Sequence, residues 1–207
     1  MTYFLGHLPE LGSQTVTHLA LVFTALAIAL AVAFPLGTFA ARRPRSAPAV
    51  FGTLGVVYAV PSLALLAILV QYIGLGFWPV IIVLAAYAQF ILVRNIAAGL
   101  RTVPDAAIDA AKGLGMSPLQ RFWRVEVPLA TPVILGGIRL ATVALIAIAT
   151  LGGYVGAGGL GQHIFFGLQR QYIAETLAGS IPAALLAILA DGVFRGLERL
   201  AVRRITG

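Results

Sequence analysis

The sequence predicts an all-α integral membrane protein with about five transmembrane helices, and three observations carry that expectation. The chain of 207 residues is 60% hydrophobic and only 10% charged. Soluble domains carry about 25% charged residues, so polar material here is too scarce to cover a water-facing surface. Five apolar runs are each long enough to cross a bilayer. The arginines stand at the ends of those runs, as the positive-inside rule expects. That clustering assigns the net charge of +7 to membrane topology and argues against nucleic acid. With no cysteine in the chain, disulfides and thiolate metal ligation are excluded.

The first run, about 15–41, has no formal charge; no basic stretch precedes it, so it does not read as a cleaved signal peptide. Pro35 and Gly37 suggest a kink near its end, and Arg42, Arg43 and Arg45 close it. The second run, about 49–73, carries Pro61 at its centre, where neighbouring helices must compensate the lost backbone hydrogen bond. A short turn with Trp78 as an interfacial anchor leads to the third run, about 80–100, which has Arg94 and Asn95 towards its end. The fourth, about 132–154, has Arg139 near its start, within snorkelling reach of the interface. The last, about 173–194, contains Pro182 and ends in Arg195, Arg199, Arg203 and Arg204. Thirteen of the 14 basic residues, all but Arg170, then fall on or near one side. The expected topology is amino terminus outside and carboxy terminus inside, as a single domain over 1–207 in the cytoplasmic membrane.

The stretch from Thr102 to Pro128 concentrates charge of both signs, two helix starts and a glycine break. Thr102-Val103-Pro104-Asp105 offers a Thr cap, a proline in the first turn and an acid at the positive helix end. On the helix that follows, Ala107, Ala110, Ala111 and Leu114 share a smooth face, with Asp105, Asp109 and Lys112 opposite. Alanines lack bulk, so another surface can approach the backbone closely. Gly113 and Gly115 are expected to end this helix. Ser117-Pro118-Leu119-Gln120 restarts it with a capping box and proline at the first position. Leu119, Phe122 and Trp123 on one side, Arg121 and Arg124 on the other, suggest a short helix lying at the membrane surface. By pattern alone the segment reads equally as an amphipathic connection or as a docking surface.

The spacing within it is specific. Asp109-Ala110-Ala111, then Gly115 after three residues, then Val125-Glu126-Val127-Pro128 after nine more, resembles the EAA motif of ABC importer permeases, with Asp for the usual Glu and valines for Ile and Leu. Pro61-Ser62-Leu63-Ala64-Leu65, Val93-Arg94-Asn95, Gly113-Leu114-Gly115-Met116 and Gly156-Ala157-Gly158-Gly159-Leu160-Gly161 are similar to the subfamily importing glycine betaine, choline, carnitine and related osmoprotectants. The resemblance implies a type I permease core, non-enzymatic itself, that pairs with a second permease copy or paralogue. It further implies two ABC ATPase subunits holding ATP and Mg, and an extracytoplasmic solute-binding protein. Asp105, Ala106, Ala107, Asp109, Ala110, Ala111, Lys112, Gly113, Gly115 and Met116 would then form the coupling element, closed by Val125, Val127 and Pro128. A methionine-type amino-acid permease is the nearest alternative. An ion-coupled secondary transporter would call for mid-span charges and an internal repeat, neither clear here.

Other signals are weaker. Gly156-x-Gly158-x-x-Gly161 matches a dinucleotide fingerprint in letters but follows a span rather than a strand, so no cofactor site is expected; with Gly159 and Pro61 it reads as a tight turn, hinge or gate. No phosphate-binding loop is present, which leaves ATP chemistry to a partner. His7, His18 and His163 lack ligand spacing, so no metal site is expected. Asp191 and Arg195 stand four apart as a helix pair. Glu175 is expected at the interface. Tyr58, Tyr72, Tyr87, Phe90 and Tyr154 are the aromatic faces available to a quaternary ammonium substrate, without a legible cage.

Overall fold

The computed structural model describes residues 6–206. Helices account for nearly all of it: α1 (Leu8–Arg42), α2 (Ala47–Ala59), α3 (Ser62–Ile73), α4 (Phe77–Arg101), α5 (Asp105–Gly113), α6 (Pro118–Arg121), α7 (Val127–Ala149), α8 (Gly161–Gln169) and α9 (Ile173–Thr206). A π-helical turn, Phe122–Glu126, joins α6 to α7, and a 3-10 turn, Thr150–Val155, follows α7.

α4 is the central helix. It packs along α1 on one side and α7 on the other, and α9 covers α7. The core is therefore built from Leu21, Val22 and Leu26 of α1, Leu84, Leu92 and Ile96 of α4, and Leu145 and Ile146 of α7. Glycines set how close these helices come. Gly37 faces Ile96, where an added Cβ would lie 2.8 Å from the isoleucine, and Gly137 faces Asn95 at 2.3 Å. Without a hydrophobic drive between helices in lipid, such close backbone contact is what holds spans together. Gly37 thus serves packing, and α1 runs through Pro35 as one helix.

Four helical segments cross-check as spans by length and apolarity: Leu8–Arg42, Phe77–Arg101, Pro118–Val155 and Ile173–Arg204. The expected second span differs. It is two helices, α2 and α3, bent by 85° at the break around Pro61. Thirteen and 12 residues rise only about 20 Å each, less than the roughly 30 Å hydrocarbon core, so neither half crosses alone. At the break the hydroxyl of Tyr87 on α4 donates to the Val60 carbonyl.

Two further expectations change. Residues 118–155 are continuously helical, so the proposed surface helix is the first turn of the fourth span and not a separate element. Glu175 is buried rather than interfacial; α8 folds back on α9 and brings Arg170 to 3.5 Å of it.

An ion-pair network joins the last two spans. Arg139 of α7 donates from Nε to Glu198 at 2.7 Å and from Nη1 to Asp191 at 2.9 Å, and Arg195 reaches Asp191 at 2.7 Å. The expected Asp191–Arg195 pair is present, and Arg139 makes it interhelical. Two arginines and two carboxylates neutralise one another, which is what charges within spans require.

Candidate functional site

The 102–128 segment closes one end of the bundle, and local chemistry sets each bend. α4 ends at Thr102, whose hydroxyl donates back to the Gly99 carbonyl at 2.7 Å. Thr102 is therefore a carboxy-terminal residue of α4, not the cap of the next helix. Pro104, in extended conformation, holds that position, with no side-chain cap. Proline at 104 disfavours helix at the residue before it, so the chain turns. Asp105 sits in the first turn of α5, where the helix dipole favours an acid.

α5 shows two faces. Val103 and Ala111 are buried, and Ile108 and Ala107 are half-buried against the bundle. Asp105, Ala106, Asp109, Ala110, Lys112 and Leu114 are exposed, Leu114 at 77%. The alanine face expected from the sequence is thus split: Ala111 faces inward, while Ala110 presents its backbone outward. Lys112 bridges Asp109 at 2.8 Å. Lys112, through its hydrogen bond and its charge, holds the Asp109 carboxyl below the usual carboxylate range.

The helix stops in a Schellman motif. The Met116 N–H reaches the Ala111 carbonyl at 3.1 Å, the Gly115 N–H reaches Lys112 at 2.9 Å, and Gly115 has φ of 73°. A left-handed residue is needed there, and glycine supplies it without a Cβ penalty. Gly113 is the last helical residue and takes no part in the turn. The Ser117 capping box is present in full, with Gln120 N–H on Ser117 Oγ and Gln120 Oε1 on the Ser117 N–H.

What the sequence missed is the mount beneath α5. Glu126, buried at the end of the motif, accepts from Arg121 Nε at 2.8 Å and pairs with Arg42 at 3.4 Å. Arg42 also lies over the Phe122 ring, 4.9 Å from its centroid. Phe34 stacks on Trp123 at 5.7 Å and meets Phe122 edge-on at 6.1 Å. The signal available was a lone acid inside a basic, aromatic run; its partner Arg42 is 84 residues away. Val125 and Val127 are half-buried, and Pro128 is exposed in the first turn of α7.

At the opposite end Gly159 and Gly161 are buried and Gly158 half-buried, while Gly156 is exposed. Gly156, Gly158 and Gly159 have φ of 73°, 77° and 81°. Gln14 of α1 accepts the Gly159 N–H at 2.6 Å and donates to Gln162 at 2.9 Å. A Cβ on Gly161 would lie 1.7 Å from the Thr150 carbonyl oxygen. The turn follows a 3-10 helix, not a strand, which is the wrong setting for a dinucleotide. Among the described residues no group of three or more His, Cys, Asp or Glu stands ready for a metal.

These features define a multi-pass membrane protein that carries one exposed amphipathic helix on a rigid mount between two spans. Residues 33–207 match the family described as the inner membrane component of binding-protein-dependent transport systems. The chain is 37% identical over 190 residues to the choline transport system permease protein OpuBB of Bacillus subtilis, covering 92% of this chain and 88% of that one. It is 39% identical to the carnitine transport permease protein OpuCB of Listeria monocytogenes, over 96% of this chain and 91% of that one. The fold matches inward-facing structures of the MetNI methionine ABC transporter with a TM-score of 0.80 at 21% identity, over 92% and 95% of the two chains. The chain belongs to the family of ABC importer permeases, the inner-membrane components of binding-protein-dependent transport systems.

Proposed function

We propose that this chain is the permease subunit of an ATP-driven importer for osmoprotectants such as glycine betaine, choline or carnitine. The bent α2–α3 pair counts as the second of five spans, with the amino terminus outside and the carboxy terminus and α5 in the cytoplasm. α5 is the coupling helix: it seats in a groove of a separate ATPase, which binds ATP and Mg, and carries that subunit's closure into the spans. Two permeases, two ATPases and an external solute-binding protein complete the importer. Gly156, Gly158, Gly159 and Gly161 with Pro61 are the positions about which the spans would hinge or gate.

The observation that carries this reading is the exposed Asp109–Ala110 face of α5 above the Glu126 mount. Ala107 and Ala111 lean onto the bundle, while Ala106 and Ala110 face out with no bulk to keep a partner backbone away. Substrate class rests on the relatives, whose names specify choline and carnitine. The methionine alternative rests on likeness of fold alone. A secondary transporter does not fit the family, whose members serve a binding protein.

The test is uptake by the reconstituted importer, with Ala110→Trp as the probe variant. ATP-dependent accumulation of a quaternary ammonium solute is expected, and Ala110→Trp should abolish it and release the ATPase while leaving the permease folded. Uptake that needs an ion gradient rather than ATP, or full activity of Ala110→Trp, would contradict the assignment.

A further inference from the structure

The break at Pro61, the aromatic side chains of α2 and α4, and Arg94 come together on one face of the molecule. Tyr58 stacks on Phe90 with centroids 4.9 Å apart and meets Tyr87 at 5.5 Å. Tyr87 is held in place by its hydroxyl bond to the Val60 carbonyl at the break. The Arg94 guanidinium lies over Phe90 at 5.1 Å and faces Phe51 at 5.9 Å. The rings therefore form a ladder that runs from Arg94 to the break.

Three features favour water or solute over lipid at this face. Arg94 is exposed and stands seven residues before the end of α4, about 10 Å into the helix. Among the described residues no carboxylate pairs with it; its guanidinium rests on the Phe90 and Phe51 rings alone, and a charge turned to lipid is costly. The non-helical backbone at Val60–Pro61 lies at the 85° break of the apolar α2–α3 pair, and within a membrane such backbone is tolerated only if buried or beside a water-filled cavity. Tyr58, 39% exposed, offers its ring on that same face.

We propose that Tyr58 and Arg94, backed by Phe90 and Tyr87, form a subsite on the transport path for a zwitterionic quaternary ammonium carboxylate. This rests on the osmoprotectant reading above and adds to it a place and a preference. The exposed ring of Tyr58 takes the trimethylammonium head by cation–π attraction, with half-buried Phe90 stacked behind it and buried Tyr87 fixing its position. Arg94 takes the carboxylate through a charge-assisted hydrogen bond. A solute with the cation but no carboxylate, such as choline, gains the rings and meets the arginine as a like charge. Arg94 is thus the group that favours glycine betaine and carnitine over choline within the membrane, whatever the external binding protein selects.

The whole importer, with its ATPase and binding protein, is reconstituted in vesicles, and uptake of glycine betaine, carnitine and choline is compared. Tyr58→Leu should lower all three about 3- to 30-fold, while Tyr58→Phe, which keeps the ring, stays close to wild type. Arg94→Gln should lower the ratio of glycine betaine to choline uptake about tenfold. If Tyr58→Leu fails to assemble, the exposed Arg94→Gln variant decides through that ratio. An unchanged ratio, or Tyr58→Leu at wild-type rate, overturns the subsite and leaves the substrate class standing. A wild-type importer that carries none of the three solutes overturns the substrate class and the subsite together.

Discussion

The two ends of the bundle are built in opposite ways. At one end α5 stands exposed on a mount of ion pairs and stacked rings around Glu126, Arg42 and Phe34. At the other, the 150–161 turn is folded onto α1, with Gln14 and His18 close against Gly158 and Gly159, while Gly153 and Gly161 face backbone with no room for a side chain. The first end has a free surface and a rigid base, which suits a part that transmits force from outside the chain. The second spends its contacts internally and has little surface to offer. Substitutions should therefore separate cleanly: at the glycine turn they damage folding, and on the face of α5 they damage assembly.

The largest effect is expected at Gly161. Its Cβ would overlap the Thr150 carbonyl, and backbone on backbone cannot yield, so Gly161→Ala should cost more than about 4 kcal/mol. Membrane-inserted yield and the detergent melting temperature check this; a normally folded Gly161→Ala protein would break the contrast. Next comes Glu126→Gln, which leaves Arg121 and Arg42 without a counter-charge. Glu126 is buried while Arg42 is half exposed, so the expected loss is intermediate, about 1–3 kcal/mol. It should appear as thermal destabilisation together with weaker coupling of ATP hydrolysis to uptake, because the mount of α5 loosens.

The smallest effect concerns Asp109. Its carboxyl is held below the usual range by Lys112. A depressed folded-state pKa gives a contribution present above the ordinary carboxylate pKa and lost only as pH falls through the lower, folded value. Asp109 therefore stays charged from pH 5 to 8, and ATPase binding over that range should show no titration from it. Asp109→Asn should weaken binding equally at every pH in that window. A wild-type titration near pH 5 that disappears in Asp109→Asn would show that Lys112 does not hold the acid.

The same contrast explains what could be read from the residues. Features set within four residues were legible: the Ser117–Gln120 capping box, the stop at Gly115, the Asp191–Arg195 pair. Thr102 misled because a threonine two residues before a proline serves equally as the last residue of one helix and the cap of the next; the bond to Gly99 decides. Contacts between spans were not legible. The Arg42–Glu126 and Arg139–Glu198 pairs join residues 84 and 59 apart, and apolar runs carry no register to align them. Glu175 was read as interfacial because its burial depends on how α8 folds back. Pro61 was seen as a compensated kink, but a hydropathy run records no bend, so the 85° angle had no signature.

The absence of cysteine allows the most direct measurement. A single Ala110→Cys is labelled with a maleimide in the permease alone and in the assembled importer, and Arg170→Cys, 68% exposed at the side chain on the other end, serves as control. With α5 seated in the ATPase, Cys at 110 should label readily in the permease alone and be protected in the complex, while Cys at 170 labels alike in both. Equal labelling of position 110 with and without bound ATPase would contradict the assignment of α5 as the coupling helix.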